Sequence, residues 1–146
     1  MTTYQILKEY DETLMLIEDM IGANGSSNFQ LDRLGENIFG PCYLGTYSGD
    51  KLPKYIPNEH CFIINNKSSR SKGEHWLSGF KRNGKLYLYD SLGRDAKKLS
   101  PYWKNEHIVT ADLDRMESFR EGKRGPRAMA WLILFKKYGA KIINVL

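Results

Sequence analysis

Gly73-Glu74-His75-Trp76-Leu77 opens a stretch that closes on Lys85-Leu86-Tyr87-Leu88-Tyr89-Asp90-Ser91-Leu92-Gly93, and Lys81-Arg82-Asn83-Gly84 turns the chain between them. Trp76, Phe80, Leu86, Leu88 and the two tyrosines are residues that fill a half-buried pleated surface. Asn83-Gly84 is the strongest short hairpin signal, because both central residues of a type I′ turn need positive φ. The stretch therefore predicts two antiparallel strands. His75 opens the first strand and Asp90 closes the second, which puts an imidazole and a carboxylate together at a sheet edge. Two readings follow: a general base with its orienting acid, or a surface histidine beside a turn-capping aspartate.

Length and composition bound the rest. The 146 residues suit a single domain, 1–146, that can bury a core, and 41% hydrophobic with 27% charged residues is ordinary globular composition. With 22 Lys+Arg against 17 Asp+Glu the net charge is +5, which favours acidic partners, although much of any such excess is a solvated surface. Cys42 and Cys61 make neither a disulfide framework nor a zinc cluster, so a reducing compartment is expected. No apolar run reaches the length of a membrane span, and the first residues lack a signal-peptide pattern. The expectation is a soluble, non-secreted protein with no membrane partner.

Upstream of the hairpin, Leu7, Tyr10, Leu14, Ile17 and Ile21 recur at helical spacing and predict an amphipathic helix over 4–21. The Gly22-Ala23-Asn24-Gly25-Ser26-Ser27 run ends it. Leu31 and Leu34 suggest no more than a short helical turn within 29–38, and glycines and prolines predict mostly loop with short strands over 39–56. Cys61-Phe62-Ile63-Ile64-Asn65 reads as an interior strand, and 67–72 as a basic loop. Downstream, 93–103 reads as loop and 107–111 as a short strand. Gly125-Pro126 then starts a helix that is apolar nearly all round, with Lys136 and Lys137 in its last turn and Gly139 as its cap. A final strand is expected over 141–146. The fold class is α+β: a central mixed or antiparallel sheet flanked by an N-terminal helix and a buried C-terminal helix.

The order of these pieces carries a resemblance. Gly73-x-His75-Trp76, then Tyr89-Asp90-Ser91-Leu92-Gly93, then Gly125-Pro126-Arg127-Ala128-Met129-Ala130-Trp131-Leu132 resembles the adenovirus-type (adenain-like) cysteine proteases, relatives of the ubiquitin-like-protein proteases. Phe39-Gly40 and Asp50-Lys51-Leu52-Pro53 are similar to further segments of that group. The resemblance implies a papain-like cysteine protease fold, with His75 as general base and Asp90 as its orienting acid. It also implies a nucleophilic cysteine immediately before Gly125 and an oxyanion-hole glutamine seven residues earlier. A helix N-terminus lowers a thiol pKa and a neighbouring imidazole holds the thiolate.

Both decisive positions are substituted. Arg124 stands where the cysteine is expected and Glu117 where the glutamine is expected. A guanidinium stays protonated and is no nucleophile. A carboxylate opposes the charge that an oxyanion hole stabilises. Glu117 and Arg124 could face each other as an ion pair, with Asp90 as a second partner; or Arg124 could point into solvent with Lys123 and Arg127.

The expected function is accordingly an inactive protease homologue of a virus or related DNA element. It would bind capsid or precursor-protein peptides, or be a minor structural part of the virion, with no cofactor. The alternative is an active cysteine endopeptidase that cleaves viral precursors during maturation. Either would place the chain in the virion or in the cytoplasm or nucleus of an infected cell. Lys67, Arg70, Lys72, Lys81, Arg82, Lys123 and Arg127 are candidate contacts for an acidic partner, with weak DNA binding as one outcome, since adenoviral members of the family use DNA as a cofactor.

Overall fold

The structure is a computed structural model, and it describes residues 2–22, 28–48, 51, 53–65, 76–90, 103, 105–111 and 124–146. Five strands form one mixed sheet in the order β1-β2-β3-β4-β5: β1 (Tyr43–Ser48), β2 (Cys61–Asn65), β3 (Trp76–Arg82), β4 (Lys85–Asp90) and β5 (His107–Ala111). β2, β3 and β4 run antiparallel to one another, while β1 joins β2 and β5 joins β4 in parallel. Three α-helices accompany the sheet: α1 (Thr3–Ile21), α2 (Asn28–Phe39) and α3 (Arg124–Tyr138). The α+β class and the mixed sheet expected from the sequence are what the chain forms.

The hairpin folds for the reason its turn residues give. Asn83 and Gly84 have φ of 53° and 76°, so both central positions are left-handed as a type I′ turn demands. The strands are in register from Arg82–Lys85 at the turn to Leu77–Asp90 at the far end. The first strand runs on through Lys81 and Arg82, which the sequence had suggested were part of the turn. The hairpin is also interior to the sheet: β2 and β5 flank it, so Asp90 ends a central strand and not an edge strand.

Strand alternation gives the sheet two unequal faces. Cys61, Ile63, Trp76, Phe80, Tyr87 and Tyr89 point to the helices, where α3 lies against the sheet and α1 against α3. Phe62, Ile64, Leu77, Leu86 and Leu88 point the other way, onto Ile56 and Trp103, whose indole donates to the Pro53 carbonyl at 3.1 Å. On this second face Gly79 lies directly opposite Phe62, and a Cβ there would come within 2.3 Å of the Phe62 ring.

α1 presents Ile6, Tyr10, Leu14 and Ile17 to the interior, and its start is a capping box of Thr2 with Gln5. Two expectations fail. The short turn foreseen around Leu31 and Leu34 is a twelve-residue helix, α2, whose buried side is Leu31, Leu34, Gly35 and Phe39. Packing of that stripe outweighs its glycine. The final strand foreseen over 141–146 is instead a 3-10 helix, Gly139–Asn144, which buries Ile142. The tail packs against α3 and β5 instead of pairing as a strand. No helix among the described residues is long and apolar enough to cross a membrane.

Candidate functional site

α3 is the element that orients the site. Its first turn contains Pro126, which tolerates the position because its missing N–H would have no partner there. Ala128, Met129, Ala130, Trp131 and Leu132 are all fully buried, so the helix threads the core with little exposed surface. Ring contacts fix its direction along the hairpin. Phe135, near the C-terminal end, meets Phe80 and Tyr87 with centroids 4.9 and 4.8 Å apart. One turn earlier Trp131 stacks on Tyr89 at 5.4 Å and an interplanar angle of 10°. The helix therefore runs from the Tyr89 end of the hairpin to its turn, and its N-terminus lies at the end where β4 finishes with Asp90.

A buried polar cluster sits under that N-terminus. Arg127, 6% exposed, donates from Nη1 to the Tyr10 hydroxyl at 3.4 Å, and the Tyr10 and Tyr89 hydroxyls are 3.4 Å apart. The cluster ties α1, α3 and β4 together next to Asp90. These are long hydrogen bonds, but a guanidinium inside a core requires polar neighbours at almost any geometry. Sequence reasoning placed Arg127 on the basic surface, and that placement is wrong. The available signals were a cation in an otherwise apolar helix and a tyrosine on the core stripe of α1, each of which needs a polar partner.

Asp90 is fully buried. It lies opposite Leu77 in register, and directly opposed residues share a face, so its carboxylate is on the side of the sheet away from α3. β3 starts with Trp76 at this same end. His75 and Glu117 lie outside the described residues, as do Lys67, Arg70, Lys72 and Lys123, so the expected His75–Asp90 hydrogen bond falls outside them as well. Arg124 is the first residue of α3, and its side chain is likewise outside the description.

Two of the remaining basic candidates are held by structure. Lys81 is paired with Glu106 at 2.9 Å, both side chains largely covered. Arg82 makes a two-pronged pair with Glu59 at 2.7 and 2.8 Å, and its guanidinium lies over the rings of Phe80 and Phe135 at 5.0 and 5.2 Å. Both sit at the turn end of the hairpin, the opposite end from Asp90.

The two cysteines are remote from the start of α3 in the fold. Cys61 opens the interior strand β2 and is fully buried; burial, with Cys42 nearby as a lesser cause, pushes its thiol well above the usual range. A thiol so held resists forming the thiolate that a nucleophile needs. Cys42 is half-buried in the 3-10 turn before β1. Among the described residues no group of histidine, cysteine and carboxylate side chains could hold a metal ion.

No family model matches the sequence. Among curated proteins, the chain is 29% identical over 121 residues to the protein titled "Protease" of Human adenovirus B serotype 3, covering 73% of this chain and 57% of the adenoviral one. The chain thus spans little more than half of that relative's length. The similarity is distant, and it supports an adenain-like relationship. The mixed five-stranded sheet with a buried helix packed across it fits an adenain-like protease fold.

Proposed function

We propose that this chain is a viral protease-fold protein that has exchanged peptide hydrolysis for peptide binding. The observation that carries the reading is Arg124 at the first position of α3, where the resemblance calls for the nucleophilic cysteine. Glu117 in place of the oxyanion glutamine points the same way, because a carboxylate there would repel the developing oxyanion. The two substitutions are chemically matched. A cation at a helix N-terminus is disfavoured by about 0.3–1 kcal/mol, which a facing carboxylate offsets, and arginine can take it in two-pronged geometry. The cleft would retain an extended capsid or precursor peptide through main-chain hydrogen bonds, in the virion or the infected cell. The basic loops would add only weak, salt-sensitive contact with DNA.

The alternative is an active cysteine endopeptidase of virion maturation, favoured by the similarity to a protein titled "Protease". One experiment separates the two. Capsid-derived peptides are incubated with the native chain, Arg124→Cys, Glu117→Gln and the double variant. The expected result is no cleavage by the native chain, little by either single variant, and measurable cleavage by the double variant with His75 as base. Cleavage by the native chain that vanishes in His75→Ala, or labelling of a native thiol by a peptide electrophile, would establish the endopeptidase instead.

A further inference from the structure

α1 has two faces, and among the described residues only one is packed against the rest of the fold. Its inner face is anchored by Ile6, Tyr10, Leu14 and Ile17, and Glu9 is clasped by Lys137 at 2.5 Å and by the Tyr138 hydroxyl. The outer face carries Tyr4 at 73% exposure and Met15 at 65%, with Leu16 and Met20 also exposed further round the helix. Single exposed apolar residues are normal on a protein surface, but Tyr4 and Met15 stand on one stripe of the helix together with Leu7. A groove of about 370 Å³ runs along this face, lined by Tyr4, Leu7, Lys8, Asp11, Glu12 and Met15. The lining residues recur at spacings of three and four, so they make one stripe about 16 Å long.

The charge of the stripe selects its occupant. With Glu9 taken up by Lys137, Thr3–Ile21 sets one lysine, Lys8, against Asp11, Glu12, Glu18 and Asp19, a net of −3 within a chain of net +5. Two of those carboxylates, Asp11 and Glu12, line the groove itself. An acidic rim around apolar anchors repels nucleic acid and anionic lipid and attracts cationic side chains. We infer that the outer face of α1 is a docking surface for a lysine- or arginine-rich amphipathic helix of another protein. That helix would lay apolar residues between Tyr4 and Met15 and set its basic flank against Asp11 and Glu12. Anchoring of the inner face means that the stripe is already ordered before binding, which lowers the entropic cost. The surface lies on the face of α1 turned away from Tyr10 and the start of α3, and the inference stands whether or not the start of α3 is catalytic.

The test is fluorescence anisotropy with a labelled synthetic peptide of about 16 residues, leucines at alternating three- and four-residue spacing and lysines on the flanks. A control peptide carries glutamates in place of the lysines. The basic peptide is expected to bind with an affinity that falls as salt rises. Met15→Glu should weaken it by about tenfold or more, as loss of a central anchor does. Asp11→Asn combined with Glu12→Gln should weaken it several-fold and flatten the salt dependence. Circular dichroism and thermal melting of each variant check that these exposed substitutions leave the fold intact. Three results would each overturn the inference: no binding of the basic peptide, equal binding of the glutamate control, or indifference to Met15→Glu. Concentration-dependent self-association that Met15→Glu abolishes would overturn it too, by assigning the groove to a second copy of the chain.

Discussion

At its turn, the β3–β4 hairpin is closed by residues close together in sequence and by a few long-range clasps that pair Lys81 and Arg82 with acids. Asn83 and Gly84 supply the left-handed turn, Asn58 accepts from the Gly84 amide at 2.9 Å, and Glu59 takes both prongs of Arg82. At its other end, the hairpin buries Asp90 on one face of the sheet and Tyr89 on the other, where a buried arginine and a second tyrosine join it from α3 and α1. The first end is a structural fastening. The second buries ionisable groups, which is costly unless they are partnered, and such clusters gather where function once was or still is. The difference shows that one hairpin can pair its charges near the surface at one end and bury ionisable groups at the other.

The sharpest way to break the fastened end is to remove the ring on which it rests. Phe135 touches Phe80, Tyr87 and Trp131 and lies beneath the Arg82 guanidinium. Phe135→Ala should cost about 3–5 kcal/mol of stability, read by urea or thermal unfolding. A smaller effect is expected at the middle of the hairpin. Gly79→Ala brings a methyl against the Phe62 ring and should cost about 1–3 kcal/mol through overpacking. A neutral result there would mean that the Phe62 ring, packed on Trp103, can move aside more freely than the packing implies.

How much of each end was legible follows from the same contrast. Asn83-Gly84, the limits of β2 and β5, and the start and stop of α3 were readable because local residue chemistry sets them. The pairing of Arg82 with Glu59 was not, since nothing in a sequence says which of many acids will meet a given base 23 positions away. Arg127 misled for a related reason: a basic residue next to Lys123 and Arg124 reads as surface until the helix is known to be enclosed on all sides. α2 was underestimated because its glycine and short length argue against an isolated helix, whereas its stripe is stabilised by burial against β1. Asp90 was found from its motif, yet its burial and its position on an interior strand could be seen only once β5 was in place.

The turn itself is a milder probe. Gly84→Ala keeps the hydrogen bonds but forces a Cβ into left-handed backbone, and it should cost roughly 1–2 kcal/mol. Because the strain is confined to the fastened end, peptide or DNA binding at the other end should be unchanged in the folded variant. A binding defect as large as the stability defect would mean that the two ends are coupled through β3 and β4, and the contrast drawn above would fail.

The smallest effect is electrostatic and has a pH signature. Arg82 beside Glu59 holds that carboxyl below the usual range, chiefly through their hydrogen bonds. A carboxylate whose folded pKa is depressed adds stability that is fully present above its unfolded pKa, about 4.3, and is lost as pH falls through the folded value. The Glu59 side chain is 53% exposed, so solvent screening limits the pair to the range of surface bridges, about 0.2–1 kcal/mol at neutral pH. Glu59→Gln should therefore be less stable than the native chain by that amount at pH 7 and low salt. The gap should narrow as the pH drops below about 4 and close once Glu59 is protonated in both states. Added salt should shrink the gap at pH 7 in the same way, since the pair is open to counterions. Arg82→Lys tests the geometry separately: it keeps the charge but loses the two-pronged contact and the flat stacking over Phe80 and Phe135. If Arg82→Lys is as stable as the native chain while Glu59→Gln is not, the fastening is a matter of charge alone. If the order is reversed, the rings hold the turn end and Glu59 merely follows.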